Sequence, residues 1–144
     1  MAGLFAAVVY GVIIFSGPRG TGENSSPVAR QLAPEWPLKD LAGKTIQSTD
    51  LKGKVLILDF WAARCGPRHE EIPGFIALQK QYGDQGLTVI GASVDELGVG
   101  TVKKFASELG MNYYVGVADH KLQRAFRVVD ALPMTLVMIV RVVS

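Results

Sequence analysis

The run Val55-Leu56-Ile57-Leu58-Asp59-Phe60, followed at once by Trp61-Ala62-Ala63-Arg64-Cys65-Gly66-Pro67-Arg68, constrains this chain more than any other stretch. A near-continuous apolar run of that length is what a central strand buried on both faces requires. Gly66 and Pro67 then open a helix that runs to about Tyr82, with Ile72, Phe75, Ile76 and Leu78 on its inner face and Gly83 and Gly86 ending it. The same alternation continues. Leu87 to Val94 reads as a second buried strand, and Gly98 to Leu109 as a helix with Val102, Phe105, Ala106 and Leu109 inward and Gly110 as its C-cap. Tyr113 to Val117 is a short strand, His120 to Phe126 a short helix and Thr135 to Val143 a third strong strand. This order predicts an α/β domain with a central mixed sheet flanked by helices.

At 144 residues there is room for one such domain. Hydrophobic residues make up 49 % of the chain, with the surplus concentrated at the N-terminus. Residues 1–17 carry no charged side chain, and Leu4 to Phe15 is apolar apart from Tyr10 and Gly11. A spanning helix needs about 20 mostly apolar residues. No Lys or Arg precedes the run and no Ala-x-Ala site follows it, which favours a short uncleaved membrane anchor over a signal peptide or a buried leader. Arg19 and Arg30 follow the span, so charge argues for cytoplasmic retention, against the extracytoplasmic location favoured below. Residues 18–33, rich in Gly, Ser and Pro, read as a flexible tether, leaving 34–144 as the folded domain. A net charge of +2, from fifteen basic and thirteen acidic residues mixed along the chain, gives no basis for nucleic-acid binding. One cysteine excludes an internal disulfide and a cysteine-based zinc site; His69 and His120 lack metal-ligand spacing. Neither metal nor cofactor is expected.

The chemistry points to Cys65. A thiol at the junction of buried strand and helix sits among the orphan N–H groups and positive dipole end of the helix, which stabilise a thiolate. Cysteine pKa values at such positions fall to roughly 3.5–7.5 from about 8.5. Arg64 and Arg68 add positive charge nearby, and Pro67 in the first turn forfeits no hydrogen bond. The competing reading is a buried, inert cysteine acting as a small hydrophobe.

These residues resemble the thioredoxin superfamily, and within it the membrane-anchored, extracytoplasmic thiol–disulfide oxidoreductases of the TlpA-like group. The resemblance covers about residues 33–135. Its blocks are Ala33-Pro34-Glu35-Trp36-Pro37-Leu38 leading to Gly43-Lys44, Leu51-Lys52-Gly53-Lys54-Val55, Phe60-Trp61-Ala62, Cys65-Gly66-Pro67, Glu70-Glu71-Ile72-Pro73 and Leu132-Pro133-Met134-Thr135. It implies a thioredoxin-like fold and assigns roles. Cys65 is the nucleophile, and Asp59 is a buried proton-transferring acid whose pKa burial should raise, or else a strand-end acid turned to solvent. Glu71 is an acid near the redox motif or a paired surface carboxylate. Pro133, with Leu132, matches the cis-proline loop that pairs with substrate backbone. Trp61 walls the thiol, and Gly66, Pro67 and Arg68 complete the substrate-facing turn. The partners implied are protein thiols or disulfides, with glutathione or another small thiol as a further one. The implied setting is envelope or cytochrome c maturation redox chemistry in the periplasm, with the membrane reached through the N-terminal segment.

Two features depart from the family pattern. Arg68 stands where the family's motif Cys-x-x-Cys has its resolving cysteine, so one monomer cannot run a dithiol cycle. What remains is a monothiol reaction completed by an external thiol, a trap for partner cysteines, or a non-catalytic binding module. The chain also reaches Ser144 after a single late strand, where the family continues with another strand and a closing helix. That truncated C-terminus predicts a sheet with one edge strand missing and one face short of a helix. A one-cysteine peroxidase of the peroxiredoxin kind shares the fold but carries a Pro and a Thr or Ser shortly before the cysteine, where this chain has Ala62, Ala63 and Arg64.

Overall fold

A computed structural model describes the backbone of residues 7–15, 35–64, 68–96, 98–128, 132 and 134–143; the side chains of residues 7–15, 68–69 and 141–143 fall outside the description. In chain order the elements are β1 (Ala7–Phe15), β2 (Pro37–Lys39), β3 (Thr45–Gln47), β4 (Val55–Trp61), α1 (Arg68–Tyr82), β5 (Leu87–Ser93), α2 (Val99–Glu108), β6 (Tyr114–Val117), α3 (His120–Ala125) and β7 (Met134–Val143). Five strands form one sheet in the order β1-β7-β4-β5-β6. β4, β5 and β6 run parallel, and β7 lies antiparallel to both β4 and β1. The mixed α/β sheet expected from the strand–helix alternation is therefore present.

The burial of β4 follows from its two-residue side-chain period. Leu56, Leu58 and Phe60 point to one face, where Ile90, Ala92, Leu136 and Met138 join them under Leu122 of α3 and under Trp36, Leu38 and Ile46 of the β2–β3 hairpin. On the opposite face Trp61 packs with Val102 and Ala106 of α2 and with Val115 of β6. The buried Ile72 of α1 faces inward as expected, and the side-chain amide of Gln79 ties α1 to β5. It accepts from the Val89 N–H at 2.8 Å and donates to the Leu87 carbonyl at 3.3 Å, taking the place of a neighbouring strand where β6 has yet to begin. At the end of α2 the N–H of Met111 reaches the Ala106 carbonyl and that of Gly110 the Ser107 carbonyl, with Gly110 at φ +64°. That pair of bonds is a Schellman motif, which uses the predicted glycine in a left-handed conformation.

Two elements were not anticipated. The short β2–β3 hairpin pairs Leu38 with Ile46 and docks on the β6 edge, where the Leu41 N–H donates to the Val115 carbonyl at 2.9 Å. A Cβ on Gly116 would collide with the Lys39 carbonyl oxygen, so the docking depends on that glycine. The second is β1. Within residues 1–17, expected to serve as an anchor, Ala7–Phe15 forms an edge strand in register with β7 from Ala7↔Val143 to Phe15↔Thr135. Val8, Val9, Val12, Ile13 and Ile14 are β-branched residues that favour a strand. The sheet edge beyond β7, expected to lie open, is thereby paired. Among the described residues no helix is long and apolar enough to cross a membrane.

Candidate functional site

Asp59 is the first fixed point of the site. It is 1 % exposed, near the C-terminal end of β4, and lies on the Trp61 face of the strand. Across the sheet its register partner is Thr135 of β7, whose hydroxyl donates to Asp59 Oδ1 at 3.0 Å. The buried carboxyl is thus tied to β7, which begins at Met134. Burial of this kind penalises the ionised form of a carboxyl, which is the property a proton-transferring acid needs.

Trp61 is 1 % exposed and stacks on Phe105 of α2, with ring centroids 5.0 Å apart and an interplanar angle of 26°. Room for the indole comes from Gly91 on β5. A Cβ there would stand 2.9 Å from Trp61 Nε1 and 3.3 Å from Tyr113 Cε2. The tryptophan is therefore an internal wall anchored to the helix layer, with almost no surface of its own left for a bound partner.

Beyond Trp61 the parallel ladder continues for one more bond, from the Val94 N–H to the Trp61 carbonyl at 2.8 Å. The next acceptor is a side chain. Asp95 Oδ2 takes the Ala63 N–H at 2.7 Å and the Ser93 hydroxyl at 2.8 Å, while the Asp95 N–H donates back to Ser93 Oγ at 3.1 Å. Asp95 is 5 % exposed and Ser93 fully buried. Arg64, next in the chain, is exposed.

Cys65, Gly66 and Pro67 lie outside the described residues, as do Pro133 and the side chain of Arg68. What is described is the frame on both sides: the end of β4 with Asp59 and Trp61, the Ala62–Arg64 turn, and α1 from Arg68 onward. Glu71 sits exposed in the opening turns of α1 together with Glu70, where negative charge suits the positive end of the helix dipole. Pro73, inside α1, has no N–H to donate to the carbonyl of residue 69. Leu132 is 38 % exposed, a large apolar side chain beside the Pro133 position and open to a partner. Among the described residues no cluster of His, Cys, Asp and Glu could hold a metal. Two surface hollows of about 330 and 460 Å³ sit near β6, and neither is lined by Asp59, Trp61 or Asp95.

Thr135, Ser93, Asp95 and Gly91 were not among the expected site residues. Their common signal is position: each lies on a neighbour of β4, level with or just past the residues Asp59 to Ala63. Only the strand register brings them there.

The model of the AhpC/TSA family matches residues 29–141. A thiol-disulfide oxidoreductase ResA of Bacillus subtilis (strain 168) is 32 % identical over 123 residues, which is 85 % of this chain and 64 % of that protein. Another from Bacillus thuringiensis (strain Al Hakam) is 35 % identical over 85 residues, 59 % of this chain and 49 % of that protein. The chain thus spans between half and two thirds of the length of these relatives. The crystal structure of a thiol:disulfide interchange protein of the thioredoxin family from Chlorobium tepidum TLS superposes with a TM-score of 0.67 at 33 % identity, covering 73 % of this chain and 75 % of that one. The fold is thioredoxin-like.

Proposed function

From the premise that the chain belongs to the AhpC/TSA family within the thioredoxin superfamily, we propose that it is a thiol–disulfide oxidoreductase whose single reacting group is Cys65. The observation that carries this reading is the buried Asp59 carboxyl, held by Thr135 between β4 and β7. A buried acid fixed at the end of the strand that leads into a cysteine serves proton transfer to and from sulfur. Similarity to the proteins named ResA supports the same chemistry.

In the proposed cycle Cys65 gives up its proton, with Asp59 as acceptor, and the thiolate attacks one sulfur of a partner disulfide. The new Cys65–partner bond forms as the partner's own S–S bond breaks, and the departing thiolate takes up a proton. With Arg68 at the resolving position, a second, external thiol must then attack the mixed disulfide, releasing Cys65 as thiolate and leaving the external thiol joined to the partner sulfur. Glutathione or another small thiol fits that role. Arg68 and Arg64 supply positive charge on either side of the thiol in sequence and favour its anionic form. Protein thiols and disulfides outside the cytoplasm, in envelope or cytochrome c maturation, are the proposed clients, and the uncharged apolar run in residues 1–17 supports that location as an anchor. Residues 7–15 of one copy cannot serve as edge strand and anchor at the same time.

The test is to follow reduction of a model protein disulfide with and without glutathione. Turnover that depends on both glutathione and Cys65 supports the reading; a Cys65→Ser variant with full turnover overturns it. The single thiol also suits a second reading, a binding module that traps or holds partner chains without turnover. Stable mixed disulfides that glutathione fails to release would favour it, and Cys65-dependent peroxide consumption would instead point to a peroxidase.

A further inference from the structure

We infer that Asp95 is a positioning residue for the segment that carries Cys65, its buried carboxylate clamping the Ala62–Arg64 turn at the end of β4 through the Ala63 N–H. This rests on the reading of Cys65 as the reacting group. Ala63 lies two residues before the cysteine, and its amide donates to Asp95 Oδ2 at 2.7 Å. The carboxylate is itself aimed. Ser93, fully buried at the end of β5, donates its hydroxyl to the same Oδ2 and receives the Asp95 N–H in return. Two carboxyl contacts thus flank the end of β4, Asp59 to Thr135 of β7 on one side and Asp95 to Ala63, backed by Ser93 of β5, on the other.

Asp95 is 5 % exposed, and its Oδ1 is buried with no hydrogen-bond partner among the described residues. A buried acceptor left unmatched carries a desolvation cost. Such a group calls for an explanation, and a role in holding the turn supplies one. The sequence places Asp95 thirty residues beyond the thiol, and only the parallel register of β4 on β5, with Trp61 opposite Ser93, brings it to the turn.

The experiment compares the whole chain with Asp95→Ala, Asp95→Asn and Ser93→Ala variants by three measurements. They are hydrogen exchange at the Ala63 amide, the rate of Cys65 alkylation by iodoacetamide, and thermal unfolding to establish that each variant is folded. In Asp95→Ala, exchange at Ala63 should rise and alkylation should fall, each by about tenfold or more, the weight of one hydrogen bond to a charged acceptor. Asp95→Asn, whose amide oxygen still accepts from Ala63, should stay within about threefold of wild type on both measurements, and Ser93→Ala should move both in the direction of Asp95→Ala. A folded Asp95→Ala protein with exchange and alkylation unchanged overturns the proposal. So does an Asp95→Asn protein that keeps Ala63 protected yet loses reactivity as fully as Asp95→Ala, since charge and not position would then be at work. Should Asp95→Ala fail to fold, Ser93→Ala and Asp95→Asn decide by the same criteria. Wild-type Cys65 that alkylates readily but never exchanges with disulfides would refute the proposed function and leave the clamp standing. If it alkylates no faster than in the unfolded chain, the positioning role falls with it, whatever Ala63 exchange reports.

Discussion

Replacing Thr135 by Val tests the Asp59 anchor with little change of shape, because only the hydroxyl that donates to Asp59 Oδ1 is lost. Asp59 is 1 % exposed, so water cannot readily substitute for the missing donor. A hydrogen bond to a charged or strongly polar buried group is worth about 1.5–3 kcal/mol. With a urea dependence of about 1–3 kcal/mol per molar, the unfolding midpoint should drop by about 1 M. The assay is equilibrium urea unfolding of four proteins: wild type, Thr135→Val, Asp59→Leu and the double variant. Each single change removes one side of the Thr135–Asp59 bond, whereas the double variant replaces both by apolar groups of similar shape. The cycle should therefore return a favourable coupling of about 1 kcal/mol or more between the two positions. A coupling below about 0.3 kcal/mol would refute the reasoning, because the 3.0 Å contact would then carry no weight in the folded protein.

Three other changes give sharp outcomes. Gly91→Ala drives a methyl group to within 2.9 Å of the Trp61 indole and should cost about 1–3 kcal/mol by urea unfolding; Trp61→Phe in the same background should recover part of it, and an unaltered midpoint would show that the indole has room to move. Arg68→Cys restores a Cys-x-x-Cys spacing, so the variant should reduce insulin through an internal disulfide without glutathione. If no disulfide forms between positions 65 and 68 of that variant under oxidising conditions, the turn lacks the geometry. Deleting residues 1–17 removes β1 and uncovers the β7 edge along nine paired positions, so the shortened chain should self-associate in sedimentation velocity. A shortened chain that stays monomeric and equally stable would free this segment for the role of anchor.

The elements that bury an apolar face were legible in the sequence because periodicity reports burial directly. VLILDF could be little else than a central strand, and Val102, Phe105 and Ala106 marked the inner face of α2, with Gly110 at its end. β1 was not anticipated for a physical reason: an uncharged run of Val and Ile is equally apolar in a bilayer and along a sheet edge, and composition cannot tell the two apart. The β2–β3 hairpin escaped notice because each strand is three residues long and buries one side chain, Leu38 or Ile46, too few to show a period. Asp59 was marked by the resemblance to the thioredoxin superfamily. Thr135, Ser93, Asp95 and Gly91 were not, since their importance comes from lying opposite β4 in the sheet, a relation between distant segments that no local pattern contains.

The most direct measurement of the central claim is the rate at which Cys65 forms a mixed disulfide with oxidised glutathione near neutral pH, in the folded chain and again in denaturant, read by mass spectrometry. If Cys65 is the activated nucleophile of the folded chain, it should react at least about tenfold faster when folded. A folded-state rate equal to or below that of the unfolded chain would contradict the account, leaving a thioredoxin-like fold whose cysteine is inert.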